Sequence, residues 1–121
     1  MKTSLTVVLR HKIKQFNKSI NVDPDKSLSI RSFLIGSISQ GISTASNILE
    51  SEDVKNTITV CKKLGVKIKK IKPKIYRIYG NGLGSLYLKK QTELNFGNSG
   101  TASRLMMGIL STTPNIQVRI K

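Results

Sequence analysis

The chain predicts an α/β (or α+β) fold, and three observations carry that expectation. Short apolar runs such as Leu5–Leu9, and the alternation of Ile75–Tyr79, have the two-residue period of strands. Elsewhere the period changes: Ile30, Phe33, Leu34, Ser37 and Ile38 fall at i, i+3, i+4, i+7 and i+8, one face of a helix. The order is strands, helix, strand, helix, strands, helix, strand, which mixes hairpins with crossovers.

Leu5–Leu9 (LTVVL) is β-branched and apolar and predicts a first strand, with Ser19–Val22 a second. Asp23-Pro24-Asp25 then breaks the chain, because proline restrains both itself and its predecessor. Ser27 can cap the first helix and Gly41 lies just past its end. Thr44–Leu49 is expected as a short strand. The acids of Glu50-Ser51-Glu52-Asp53 open a second helix where the helix dipole favours them, and Val54, Ile58, Cys61 and Leu64 form its buried stripe. Lys62 and Lys63 lie near its far end and Gly65 stops it.

Val66–Lys70 and Ile75–Tyr79 alternate apolar and basic residues, with Lys72-Pro73-Lys74 as the turn between them. Leu86–Leu88 predicts another brief strand. A third helix begins near Ser99 and carries Leu105, Met106, Ile109 and Leu110; Ile116–Ile120 alternates as a last strand.

The 121 residues fit one ordinary domain or a piece of something larger. The chain stops on Arg119-Ile120-Lys121, inside a strand pattern, so a truncated parent is expected. A net charge of +15 puts anions first among the ligands: nucleic acid, acidic membrane surfaces or phosphorylated metabolites. A lysine-biased composition accounts for the same charge without a special partner. The single cysteine, Cys61, excludes an internal disulfide and, with one histidine, a zinc site. Cys61 is expected as a buried inert thiol and His11 as a surface residue. No apolar run is long enough to span a membrane. The N-terminus lacks the pattern of a secretory signal, which gives a cytoplasmic protein as the expectation.

Three stretches could hold an anion. In DKSLSIR (Asp25–Arg31), a helix start offers unpaired N–H groups, with Lys26, the Ser27 hydroxyl and the forked Arg31 guanidinium within a turn. The other reading is a capped helix with solvated charges. In FGNSGTASR (Phe96–Arg104), two glycines bracket Asn98-Ser99 just before an apolar helix. That is either a backbone cradle for an anion or a strand-to-helix turn. GNGLGS (Gly80–Ser85) has the wrong final glycine gap for a dinucleotide loop and is followed by strand-like LYL, so a β-turn is expected. One histidine and six acids offer no catalytic triad and no convincing carboxylate pair.

Taken in order, DKSLSIRSFLIGSISQG, SNILESEDVKNTITVCKKLGVKI, GNGLGSL and LNFGNSGTASRLMMGIL resemble the N-terminal part of the 5-enolpyruvylshikimate-3-phosphate synthases. The resemblance runs from about Ile20 to Leu110 and implies a two-domain fold of repeated βαβαββ units (an inverse α/β barrel-like domain). On that reading residues 21–121 are an incomplete first domain, and residues 1–20 are strands belonging with a second domain. It implies transfer of the enolpyruvyl group of phosphoenolpyruvate to the 5-hydroxyl of shikimate 3-phosphate, with release of phosphate. The partners implied are small anionic substrates, with neither nucleic acid nor membrane; no metal or organic cofactor is implied, and the full-length protein would be a monomer.

Carried over residue by residue, Lys26 would meet both substrates and could assist proton transfer. Ser27 and Arg31 would bind shikimate 3-phosphate, Arg31 at the carboxylate, and Gly100 would lie against phosphoenolpyruvate. Asn98, Thr101 and Arg104 match the motif and are expected to shape the loop. Asp23-Pro24-Asp25 replaces the family's usual Pro-Gly before its acid or serine, which makes the approach to Lys26 stiffer and more acidic. Family members are several times longer than this chain, so the isolated 121 residues are expected to be inactive. The alternative from charge alone is a small basic nucleic-acid-binding module.

Overall fold

Helix α1 (Lys26–Ile38) begins the ordered core of the computed structural model, which describes residues 4–8, 10–12 and 17–121. It is followed by β1 (Gln40–Ala45), α2 (Glu52–Lys63), β2 (Lys67–Lys72), β3 (Ile75–Asn81), β4 (Glu93–Leu94), α3 (Gly100–Ser111) and β5 (Arg119–Ile120). β3 is the centre of a three-stranded sheet and pairs antiparallel with both β1 and β2. β1 and β2 therefore run parallel to each other, with α2 as the crossover between them. β4 and β5 pair in parallel around α3. The order α1-β1-α2-β2-β3 is a βαβαββ unit without its leading strand, and β4-α3-β5 opens another.

The core forms where the helices meet the inner face of β3. α1 buries Ile30, Phe33, Leu34 and Ser37, the face the periodicity predicts. Phe33 meets the Tyr76 ring edge-on, with centroids 5.3 Å apart, and Ile78 is fully buried. The close approach of α1 to β3 depends on glycine at position 80. A Cβ there would run into the carbonyl oxygens of Gly36 and Ser39, so no larger residue fits. The Gly82 N–H also donates to the Ser39 carbonyl at 3.1 Å, tying the end of α1 to the end of β3.

Several expected elements shift. Leu5–Val8 and Ser19–Val22 form no strand, and Leu9 lies outside the described residues. The reason is the lack of a partner: Leu5, Val8, Ile20 and Val22 are all well exposed, and no backbone ladder among the described residues receives them. The strand expected at Thr44–Leu49 sits earlier, at Gln40–Ala45, because its pairing with β3 sets the register from Gln40↔Asn81 to Ala45↔Tyr76. Leu86–Leu88 makes no ladder; Leu86 is buried and Tyr87 N–H donates a single bond to the Leu64 carbonyl at 3.2 Å. The last strand shortens to Arg119–Ile120, and its partner β4 is not marked by any strand-like run.

Other expectations hold. Gly65 follows the C-cap of α2 with φ +89°, and Lys74 turns the β2–β3 hairpin with φ +59°. Of Gly80–Ser85, Gly80 and Asn81 still pair with β1 as the end of β3, and the turn is Gly82–Ser85, closed by the Ser85 hydroxyl donating to the Gly82 carbonyl at 2.6 Å. His11 is exposed. Cys61 is fully buried, and burial pushes its thiol up to about 11, which leaves it unreactive at neutral pH.

Candidate functional site

The first turn of α1 is held by Asp25, not Ser27. The Asp25 carboxylate accepts the Leu28 N–H at 2.7 Å, and its carbonyl accepts both the Ser29 N–H and the Ser29 hydroxyl. An acid after Pro24 stands one residue ahead of Lys26 in extended conformation, which is the N-cap geometry; Ser27 is already inside the helix. Asp25 thus supplies the cap. It also frees Ser27: its hydroxyl makes no hydrogen bond among the described residues, and the N–H groups of Lys26 and Ser27 stay unpaired at the positive end of the dipole.

The buried Ser29 hydroxyl fixes this helix start in space. While donating to Asp25 it accepts the Leu49 N–H at 2.9 Å, which joins α1 to the loop ahead of α2. Arg31 lies one turn beyond Ser27 on the same face, exposed and without an ionic partner among the described residues. The Lys26 ammonium reaches across to Asp53 in the first turn of α2, at 3.1 Å. Both groups are partly open to water, so the pair is worth at most about 1 kcal/mol and is easily exchanged for another anion. Asp53 reads from sequence only as a dipole-compensating acid; its role as the partner of Lys26 needs the packing of α1 on α2.

The FGNSGTASR stretch is both a turn and a helix start. Phe96 is buried and its N–H donates to the Lys121 carbonyl at 3.1 Å, which ties the loop to the end of β5. Asn95 accepts the Gly97 N–H at 2.7 Å, and Gly97 takes φ +60° beside Asn56 of α2. Ser99 caps α3 by accepting the Ala102 N–H at 3.2 Å. The Thr101 N–H has no partner among the described residues, so one backbone donor stays open. Gly100 is half-buried under the Arg104 side chain: a Cβ on it would lie 2.9 Å from an Arg104 guanidinium nitrogen.

Lys26 meets Asp53, and Gly97 meets Asn56; both contacts fall on the first turns of α2. The N-termini of all three helices therefore gather at one end of the sheet. Lys26, Ser27 and Arg31 share the start of α1, and Gly100 stands at the start of α3. The dipoles, the open N–H groups and three cations make this end suited to anions. It is an open face, with Lys26 and Arg31 exposed; four cavities among the described residues lie elsewhere on the protein and are lined by other residues. No group of three or more metal-ligating side chains occurs among the described residues, and none of their helices is long and apolar enough to cross a membrane.

A second polar cluster ties the loop ahead of α2 to the sheet. Glu50 accepts from the Tyr76 hydroxyl at 2.6 Å and pairs with Lys70 at 2.7 Å. The Lys70 ammonium first, and the Tyr76 hydroxyl next, hold the Glu50 carboxyl down at about 2. Burial first, and the Glu50 contact next, push Tyr76 up to about 12.

Comparison with known proteins adds an independent line. The family model of EPSP synthase (3-phosphoshikimate 1-carboxyvinyltransferase) matches residues 10–120. A 3-phosphoshikimate 1-carboxyvinyltransferase of Alkaliphilus oremlandii is 43% identical over 108 residues, covering 89% of this chain and 25% of the relative. One from Oceanobacillus iheyensis is 45% identical over 96 residues, 79% of this chain and 22% of the relative. Among solved structures, EPSP synthase from Acinetobacter baumannii superposes with a TM-score of 0.69 at 36% identity, over 78% of this chain and 21% of that one. The chain spans about a quarter of the length of the curated relatives it matches.

Proposed function

The chain belongs to the EPSP synthase family, and from that premise we propose that it supplies one wall of an enolpyruvyl transferase site. The reaction moves the enolpyruvyl group of phosphoenolpyruvate to the 5-hydroxyl of shikimate 3-phosphate. A carbon–oxygen bond forms to the 5-oxygen, the carbon–oxygen bond to phosphate breaks, and the hydroxyl proton leaves with the phosphate in the net balance.

The observation that carries this reading is the gathering of Lys26, Ser27 and Arg31 beside the start of α3, in a chain matched by the family from residue 10 to 120. Lys26 exchanges Asp53 for substrate anions and neutralises charge where the two substrates meet. It is the residue of this wall placed to help move a proton. The Ser27 hydroxyl and the open N–H groups of α1 receive shikimate 3-phosphate, and the Arg31 fork takes its carboxylate. Gly100 keeps the start of α3 bare for phosphoenolpyruvate once Arg104 swings aside. The site faces outward because its other wall belongs to a second domain; closure of the two excludes water from the anions. Residues 1–20 belong with that second domain, which accounts for the exposed side chains of Leu5, Val7, Val8 and Ile20.

The test is a chimera in which this chain replaces the matching quarter of the Alkaliphilus oremlandii relative. Phosphate release that requires both substrates is expected, and Lys26→Ala should lower kcat/KM about 100-fold or more. Unchanged turnover and unchanged affinity in the Lys26→Ala chimera would remove that lysine from the site. The 121-residue chain alone is expected to show no turnover.

A further inference from the structure

The opposite end of α2 carries a second concentration of charge. Twelve residues of helix separate it from Asp53's end, about 18 Å at 1.5 Å per residue. Lys62 and Lys63 of the last turn, Lys67 at the start of β2, and Lys89 and Lys90 of the following loop line one groove of about 510 Å³. No carboxylate lines it. The nearest acid in sequence, Glu93, lines the neighbouring cavity together with Arg119.

The groove is a built feature. Its wall is the Tyr87 ring, which lies so close against Gly65 that a Cβ at position 65 would strike the ring carbons. Tyr87 is anchored by its N–H to the Leu64 carbonyl at 3.2 Å. Three carbonyls at this end of α2, those of Val60, Cys61 and Lys62, are already satisfied by the N–H groups of Leu64, Val66 and Gly65. Two of the lysines have protein partners: Lys63 donates to the Glu93 carbonyl at 3.2 Å, and Lys67 stands 5.0 Å from the Tyr79 ring centre. Lys62, Lys89 and Lys90 have no hydrogen bond or ion pair among the described residues.

Five lysines around one concavity repel each other, and an anion with several charges relieves that repulsion best. We propose that this groove binds an oligophosphate, free or carried by a nucleotide. Lysine is a point-charge phosphate ligand, and the volume suits a small molecule. The proposal is independent of the enolpyruvyl transfer reading, since no residue is shared with that site.

Calorimetric titration of the 121-residue chain with sodium tripolyphosphate, and separately with metal-free ATP, tests it at low and at physiological salt. One-to-one binding is expected, with amide shifts in a 15N spectrum centred on Gly65, Tyr87 and Lys89. The Lys62→Gln/Lys89→Gln/Lys90→Gln variant should bind at least about tenfold more weakly, the loss of one or two charge-assisted contacts. The equally charged control Lys55→Gln/Lys69→Gln/Lys72→Gln, on other exposed surface, should stay within roughly twofold of the parent. ATP binding tighter than tripolyphosphate assigns the anion to a nucleotide, with the base against Tyr87; the reverse assigns free oligophosphate. Equal losses in the two triple variants, shifts spread over the surface, or no binding at physiological salt would each overturn the proposal. Tighter binding of a single-stranded RNA oligonucleotide, weakened equally by both triples, would overturn it in favour of a general polyanion surface.

Discussion

Replacing Gly80 with alanine tests how α1 is seated, and with it the placement of Lys26, Ser27 and Arg31. The added methyl would meet two backbone carbonyl oxygens, those of Gly36 and Ser39, which cannot turn away as a side chain can. Either α1 lifts off β3 or β3 bends. Both moves loosen Ile30, Phe33 and Leu34, each at most 1% exposed. Overpacking of this kind costs about 3 kcal/mol, the upper end of its usual range, because the obstruction is main chain. For a domain of this size that corresponds to a fall in Tm of roughly 10–25 °C. Thermal and urea unfolding of three variants measures it against built-in controls. Gly36→Ala meets only the Ile78 side chain, at 2.9 Å, and should cost about 1 kcal/mol. Gly108→Ala, inside α3 with nothing within 4 Å, should gain up to about 1 kcal/mol from helix propensity. A Gly80→Ala protein melting with the parent, or less harmed than Gly36→Ala, would refute the seating described.

The Glu50 cluster sets a pH dependence. The folded carboxyl titrates near 2, below its usual 4.5, so its stabilisation is complete above about 4.5 and is lost as pH falls toward 2. The parent should therefore lose stability over that window more steeply than Glu50→Gln, and parallel urea-unfolding curves from pH 5 to pH 2 for the two proteins would contradict it. Tyr76 acts at the other end: raised from 10 to about 12, it contributes stability below pH 10 that is lost as pH rises through 12, a loss Tyr76→Phe should not show. Gly100→Ala should leave Tm unchanged or slightly raised, because its methyl meets only the mobile end of Arg104. In the chimera it should raise KM for phosphoenolpyruvate and spare that for shikimate 3-phosphate; an unchanged KM for phosphoenolpyruvate would take Gly100 out of contact with it.

The sequence by itself determined the elements whose signals are local. The stripe Ile30, Phe33, Leu34, Ser37 names the buried face of α1, because helical period alone decides which residues share a face. Gly65 and the Lys72-Pro73-Lys74 turn mark chain reversals that depend on backbone conformation at single residues. The helix starts that carry Lys26, Ser27, Arg31 and Gly100 were also legible, since polar residues and glycines ahead of an apolar stripe mark where a helix begins.

What depends on distant partners was not legible. Leu5–Val8 has strand propensity but no partner, whereas Glu93–Leu94, with no such propensity run, is a strand because Arg119–Ile120 lies beside it. Ser27 looked like a cap by residue type, yet Asp25 holds that position because the extended segment after Pro24 presents its carboxylate first. The pairing of Lys26 with Asp53, the Arg104 guanidinium over Gly100, and the five-lysine groove join residues far apart in the chain or fix side-chain positions that only packing selects. Local chemistry marked the helix starts; the crowding of α1 onto β3 through Gly80, and the contacts of α2 with the other two helix starts, decided that they lie together.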